Sequence, residues 1–528
     1  MVAKRGCGRW PTGFREDDTA LLLTVLIHFL PLLSVSAGTV VMDNGIAQFS
    51  FSNPGGAVIG IGYAGMENLL EVHNNNDKRG YLDVNWNWPG QNKNLLDNVQ
   101  GTKFSIIAQT EDNVEISFSR TWDNMSDSSV APLIIDKRYI MRRDVQGLYS
   151  YAIFDHPQGW PGFQLGQARV VYRLNGDRFQ LMAISDVRQR FMPTESDRAS
   201  GKPLAYPEAV LLTSPSNPQF RGEVDDKYQY SSENQDYNLH GWISKDPVVG
   251  FWIISPSNEF RTGGPVKQQL TCHVGPTALN MFISAHYAGR EIVMGFADGE
   301  PWKKVFGPFL VYLNSNPPQG LYSELWQDAS RQLLIESRNW PYNFATSDDF
   351  PASSQRGTVT GQLLIRDRYV NENDIPAGTA YLGLAAPGDV GSWQTESKGY
   401  QFWTRADSSG NFKIENVRVG NYSLYGWVPG TLGDFKHSAN VMVTPGGLAE
   451  LGSLVYEPPR SGPTIWEIGI PDRTAAEFYV PDSSPLLTNK LLRTASNALS
   501  LTQSRAQTPF QGVMYDYIRL EGHPDRSS

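Results

Sequence analysis

The sequence predicts an all-β protein of two or three domains, on three observations. Short runs rich in β-branched and aromatic residues recur along most of the chain, among them Gln48-Phe49-Ser50-Phe51, Val114-Glu115-Ile116-Ser117-Phe118, Val210-Leu211-Leu212 and Phe251-Trp252-Ile253-Ile254. Gly, Pro, Asn and Asp separate these runs at sandwich-like intervals, drawn from 49 Gly and 34 Pro in 528 residues. Helical spacing is plain in one long segment, 322–338, where Tyr322, Leu325, Trp326, Ala329, Leu333 and Glu336 fall on one face and Pro341 stops the pattern.

At the N-terminus, Lys4, Arg5, Arg9 and Arg15 precede an apolar run from Ala20 to Leu33, and Val35-Ser36-Ala37 offers small residues. This is the layout of a secretory signal peptide over residues 1–37, cleaved after Ala37, with an uncleaved anchor as the alternative. No later segment is long and apolar enough to span a bilayer. Of the two cysteines, Cys7 leaves with the signal and Cys272 stands alone, so no intrachain disulfide is expected. Asn124-Met125-Ser126 and Asn421-Tyr422-Ser423 are glycosylation sequons that accord with export.

Residues 38–345 carry most of the strand-like runs and read as a first, large all-β domain with the helix near its end. A second unit, 355–456, contains Thr358-Val359-Thr360-Gly361-Gln362-Leu363, Ala380-Tyr381-Leu382-Gly383-Leu384 and Gly420-Asn421-Tyr422-Ser423-Leu424-Tyr425, spaced as in a small sandwich. Trp403 and Trp427 there are either core residues or sugar-stacking surfaces. A third unit, 460–528, opens with Thr464-Ile465-Trp466-Glu467-Ile468-Gly469 and closes with Tyr515-Asp516-Tyr517-Ile518-Arg519-Leu520. Between them lies the polar bridge 482–496, where a complete sandwich needs middle strands.

The 54 acidic and 45 basic residues give a net charge of −9, with no basic run, which argues against nucleic acid as a partner. Any attraction for an acidic polymer must then come from local cations in a cleft. The richest stretch for chemistry runs from Asp225-Asp226-Lys227-Tyr228-Gln229-Tyr230 through Leu239-His240-Gly241-Trp242 to Ser284-Ala285-His286-Tyr287. A lysine followed by a histidine supplies a base and an acid for removing a proton beside a carboxylate and protonating a leaving oxygen. Residue types alone fit better a solvated lysine and a hydrogen-bonded core or loop histidine.

The order of motifs adds to this. Asp43-Asn44-Gly45, Asn68-Leu69-Leu70-Glu71-Val72, Gly159-Trp160-Pro161, Ala205-Tyr206-Pro207-Glu208-Ala209 and Gly299-Glu300-Pro301-Trp302-Lys303-Lys304-Val305-Phe306-Gly307-Pro308 accompany the stretch. Together they resemble the rhamnogalacturonan endolyases of polysaccharide lyase family four, most of all the plant-type branch. The resemblance implies a galactose-mutarotase-like β-sandwich, a fibronectin-III-like module and a jelly-roll carbohydrate-binding-like domain, the last internally truncated here. It implies a secreted, monomeric enzyme of the cell wall that cuts the α-1,4 rhamnose–galacturonate bond of rhamnogalacturonan I in pectin by β-elimination. Lys227 is then the base and His286 the acid. Arg188 and Arg190 suit the clamp on the uronate carboxylate, because guanidinium reads carboxylate bidentately. Tyr228, Tyr230, His240 and Lys267 are further candidate substrate contacts, with His240 also a rival acid and Arg261 a further cation. Asp225 and Asp226 must face away from Lys227 for it to lose its proton.

No redox cofactor is implied, and no aspartate-rich loop demands calcium, although calcium would suit a polyuronide. Two-histidine metal chemistry has no carboxylate partners at ligand spacing. The run Leu279-Asn280-Met281-Phe282 lacks tyrosines that fungal relatives place ahead of the acid. Two other readings stand beside the lyase: a non-catalytic wall-polysaccharide-binding protein, and an aldose-epimerase-like enzyme on the same sandwich.

Overall fold

The computed structural model describes residues 33–91, 93–123, 129–205, 208–317, 320–473 and 517–522. Two large antiparallel sheets face each other in the first domain. One runs in the order Leu33–Val35, Thr39–Asp43, Ala47–Ser52, Val58–Tyr63, Gly80–Asn87, Gln164–Arg173, Thr277–Ser284, Cys272–His273. The other begins at Gln189–Phe191 and Phe179–Ala183 and passes through Leu239–Ser244, Val249–Ile254, Trp302–Ser315 and Gly147–His156 to Lys103–Gln109. Strand alternation sends Phe49, Phe51, Leu82, Val84, Ala168 and Val170 inward from the first sheet, against Ile116, Phe118, Phe154, Phe251 and Phe306 from the second.

The outer faces of the two sheets differ, and that difference positions everything functional. The helix Tyr322–Asn339 and the segment after it cover the second sheet, burying Tyr149, Tyr151, Ile153, Trp252, Ile254 and Tyr312 with Leu325, Trp326 and Ala329. With apolar cover on both sides, Val249–Ile254 and Leu239–Ser244 are buried at every position, which explains continuous apolar runs where a half-exposed strand would alternate. The outer face of the first sheet has no such helix, and its strands alternate apolar with polar residues there.

The second domain is a small sandwich. Arg356–Ile365 pairs with Asn411–Arg418 and, in parallel, with Leu448–Tyr456, while Tyr381–Ala385 lies between Phe402–Arg405 and Gly420–Trp427. Its core includes Val359, Leu363, Leu382, Leu384, Phe412, Ile414 and Leu424. Beyond it, Thr464–Gly469 pairs with Tyr517–Glu521, leaving Ile465, Trp466, Ile468 and Leu520 exposed. The polar bridge that the sequence places in this third unit, and the truncation argued from it, lie outside the described residues. So does most of the signal segment and the sequon at Asn124. Leu33–Val35, just before the expected cleavage point, forms an edge strand on Val40–Met42. Among the described residues, no helix is long and apolar enough to cross a membrane, and Cys272 is a buried free thiol.

The two sandwiches meet around one buried carboxylate. Glu259 accepts from Arg356 Nη1 at 2.6 Å and from Arg418 Nε at 2.8 Å, with side-chain exposures of 3%, 0% and 9% for the three. Burial alone would raise the Glu259 carboxyl, but Arg418 and Arg356 outweigh it and hold the group below its ordinary value of 4.5. Nearby, Lys304 donates to the Gly399 carbonyl and Trp302 Nε1 to the Lys398 carbonyl at 2.9 Å. Glu259→Gln should leave two buried guanidiniums without a counter-charge and cost about 3–5 kcal/mol in urea denaturation at neutral pH. Because the folded carboxyl is depressed, this contribution is complete above pH 4.5 and fades only as pH falls below that value. A loss under about 1 kcal/mol, the size of an exposed pair, would show that the junction does not depend on this cluster.

Candidate active site

The site forms on the uncovered face of the first sheet. Asp83 and Tyr81 on Gly80–Asn87 stand beside Arg169 and Val171 on Gln164–Arg173, which in turn stand beside Met281 and Leu279 on Thr277–Ser284. Val171, Leu279 and Met281 make an apolar patch that Leu270 and Tyr237 cap, with Tyr81 and Tyr228 packed against it. This patch seats the segment 227–240 on the sheet, and the polar groups at its rim carry the chemistry.

Lys227 opens a single 3-10 turn, Lys227–Gln229, whose N-terminus the Asp226 side chain caps by accepting from Tyr228 N at 3.1 Å. Asp225 turns the other way, buried and bound by Arg198 and the Tyr230 hydroxyl. Neither aspartate faces Lys227. Its carboxylate partner is Glu208, at 2.5 Å from Nζ. The Tyr228 ring lies between the two residues of greatest interest: Lys227 Nζ is 5.1 Å from its centroid, and the His286 ring meets it edge-on at 5.6 Å.

His286 follows the strand Thr277–Ser284 and is fixed by Ser284 Oγ, which lies 2.9 Å from Nδ1 and accepts from the His286 backbone N–H at 3.1 Å. The next residue, Tyr287, adopts φ +64°, a costly conformation for a bulky side chain. Its hydroxyl donates to the Tyr228 carbonyl at 2.7 Å, tying the lysine turn to the histidine turn. Lys267 Nζ donates to the Ser284 carbonyl at 2.8 Å and to Gln269 Oε1 at 3.0 Å. Burial first, then the charges of Lys227, Lys267 and Arg169, lower His286 to about 4, with Glu208 acting in the opposite direction. Burial, with Arg261 as the second cause, lowers Lys267 to about 7. His273 is lowered to about 4, by burial and then by Arg169, Lys227 and Arg173. The cations that an acidic chain needs to hold an anion are therefore concentrated here. A cleft of about 490 Å³ lies at the other end of the strand Thr277–Ser284 from His286, with Arg173, His273, Gln180 and Thr194 in its wall.

Several sequence expectations change. Arg188 does not point at a ligand position: its guanidinium donates to the carbonyls of Ser231, at 2.6 Å, and Gln229. Arg190 makes a two-point contact with Glu223 at 2.7 and 3.0 Å and lies over the Phe220 ring. Both brace the loop that carries Lys227. Tyr230 and His240 are 0% exposed. Tyr230 serves as donor to Asp225, and His240 Nε2 contacts the Leu279 carbonyl at 2.7 Å, with burial lowering the ring to about 3. Both are removed from the set of substrate contacts, and His240 from the rival acids. Arg261 is buried against Asn280 and the Met281 carbonyl and supports the strand from below.

Arg169, Glu208 and Tyr287 gain roles that sequence reasoning did not give them. Arg169 was detectable: an arginine within Ala168-Arg169-Val170-Val171-Tyr172-Arg173 marks the polar face of a half-covered strand. It reaches Asp83 at 2.9 Å through Nε and keeps partial exposure. Among the described residues, no group of three or more His, Cys, Asp or Glu side chains is placed to hold a metal ion.

Residues 27–224 match the model of the rhamnogalacturonate lyase family, and residues 377–451 match polysaccharide lyase family 4, domain II. The chain is 26% identical over 473 residues to rhamnogalacturonate lyase of Dickeya dadantii, covering 87% of this chain and 73% of the relative. It is 25% identical over 333 residues to probable rhamnogalacturonate lyase B of Aspergillus terreus, covering 60% and 46%, and 24% identical over 390 residues to that of Aspergillus niger, covering 68% and 52%. The chain thus spans about half the length of these fungal relatives. Among solved structures, a galactose mutarotase related enzyme from Lactobacillus acidophilus aligns with 54% of this chain and 100% of that chain at 10% identity, with a TM-score of 0.28.

The shared field around His286 is measurable. In an NMR titration with the resonance assigned through His286→Gln, the ring should titrate near 4. Lys227→Met, which removes one of the cations, should move that midpoint upward. An unmoved midpoint would separate the two residues electrostatically.

Proposed function

We propose, from this chain's membership of the rhamnogalacturonate lyase family, that it cleaves the α-1,4 rhamnose–galacturonate bond of rhamnogalacturonan I by β-elimination. The observation that carries the reading is the placement of Lys227 and His286 against one tyrosine ring, in a patch where Arg169 and Lys267 add positive charge.

Elimination needs the uronate carboxylate neutralised, so that the C5 proton becomes acidic, then a base for that proton and an acid for the departing O4. Arg169, which keeps partial exposure, takes the first role here, replacing the arginine pair expected from sequence, while Lys267, buried and held by Gln269 and the Ser284 carbonyl, contributes only its field. Lys227, in its neutral form, accepts the C5 proton. The electrons of the C5–H bond form the C4–C5 double bond as the C4–O4 bond breaks, and His286 supplies the proton that O4 takes. Glu208 pairs with Lys227, so this contact opens before Lys227 acts. Tyr228 offers its ring to the sugar between base and acid. No water attacks, so the paired carboxylates of a glycoside hydrolase are not needed.

The same reading makes the chain a secreted, monomeric protein of the cell wall. The basic-then-apolar leader supports export, as does Asn421, exposed on Gly420–Trp427 with a serine two residues on.

Incubation with rhamnogalacturonan should raise ultraviolet absorbance as the conjugated uronate forms. Lys227→Ala should slow that rise by roughly 10²–10⁴-fold. Folded wild-type protein that binds the polymer and produces no absorbance would replace this reading with a polysaccharide-binding one.

A further inference from the structure

A second cavity, of about 440 Å³, lies where the two sandwiches meet. It falls within the size range of small-molecule sites, and two of its walls have chemistry that packing between domains does not require. The first is Trp403. Its strand pairs it with Gly383, and a Cβ on that glycine would lie 2.3 Å from the indole ring. The ring therefore lies flat on the backbone, a placement only glycine permits. Trp403 Nε1 donates to Gln401 Oε1 at 3.0 Å, and Gln401 Nε2 donates to the Trp393 carbonyl at 2.8 Å. The indole is locked in place yet half-exposed at the cavity. Trp427, its counterpart in the sequence, is buried and stacked at 5.2 Å on Trp393.

The second wall is Arg405, exposed, two residues along the same strand and held over the Tyr381 ring at 4.6 Å. Among the described residues it has no carboxylate partner. The acids near it are already matched: Glu259 by two arginines, Glu415 by Lys413 at 2.5 Å.

An aromatic plane and a guanidinium with no carboxylate counter-charge, whose Nη2 reaches only the Thr379 carbonyl at 3.4 Å, suit one ligand class. The plane takes a sugar ring and the guanidinium a carboxylate. An apolar ligand would leave Arg405 without a counter-charge, and a small inorganic anion would leave the indole face bare. We propose that this junction cavity binds a short uronic-acid-bearing oligosaccharide, separate from the Lys227–His286 site. It rests on the lyase reading for the identity of the sugar acid, and it would hold the polymer at a second point while the first is cut, raising the effective concentration of scissile bonds.

The test is a calorimetric titration of the full chain with a galacturonate–rhamnose disaccharide that contains no rhamnose–galacturonate bond and so is not consumed. Wild type should show two binding events. Arg405→Ala, at an exposed position, should weaken one of them by roughly tenfold or more, as should Trp403→Ala if it folds. A galactose–rhamnose disaccharide, lacking the carboxylate, should fill this cavity poorly in wild type. Identical isotherms for wild type and Arg405→Ala would overturn the proposal. Arg405-dependent binding from a protein without lyase activity would refute the lyase reading and leave the cavity assignment standing. Lyase activity with identical isotherms would do the reverse.

Discussion

Glu259 holds two guanidiniums away from solvent, and much of the molecule is arranged around that contact. Charges buried this deeply survive only with close partners, since each ion alone would pay a desolvation cost of several kcal/mol. Arg356 begins the first strand of the second sandwich and Arg418 ends the strand beside it, so one carboxylate fixes that domain at two points. The effect extends into the first domain. Two residues beyond Glu259, Arg261 reaches Asn280 Oδ1 at 2.6 Å and the Met281 carbonyl at 3.2 Å. Those residues belong to the strand that ends just before His286. The domain junction and the strand leading to the proposed acid are thus linked through the backbone 259–261 and the buried hydrogen bonds of Arg261.

The location of the site follows from which sheet face was left open. A helix and the segment after it seal the outer face of one sheet, where polar side chains such as Asn314 and Glu115 are buried and hydrogen-bonded to that cover. The other sheet lacks such cover, so Asp83 and Arg169 can alternate with inward apolar residues without being stranded. Its open face is closed instead by an irregular segment with few backbone ladder bonds of its own. Lys227 sits in that segment because a 3-10 turn can aim a side chain along the sheet, whereas a strand residue points straight up or down.

How much of this was legible in the sequence depended on distance along the chain. The helix at 322–338 follows from spacing alone and runs Tyr322–Asn339. The all-β architecture follows from the strand-like runs and the turn residues between them. Contacts between distant residues did not show. Glu208 pairs with Lys227 from nineteen residues away, while Asp225 and Asp226, its neighbours in sequence, turn away because of backbone geometry. Arg188 and Arg190 had the right chemistry for a carboxylate clamp, but backbone carbonyls and Glu223 occupy them. Tyr230 and His240 were candidates by residue type, and burial decided against both. The arginine that does stand beside the site, Arg169, carried a usable signal in its alternating strand.

The charge logic of the site runs against that of the whole chain. The protein is net acidic, yet burial first, and then the charges of Lys227, Lys267 and Arg169, drive His286 toward its neutral form. A neutral imidazole is a poor proton donor, so these surroundings alone do not set His286 for elimination. In the proposed reaction the substrate corrects this itself: a uronate carboxylate arriving among the three cations offsets the field that had disfavoured imidazolium. The same carboxylate competes with Glu208 for the cations. Pairing with those cations lets the C5 proton become acidic while the carboxylate's charge restores the acid, whereas an esterified uronate, with no charge to contribute, would not restore it.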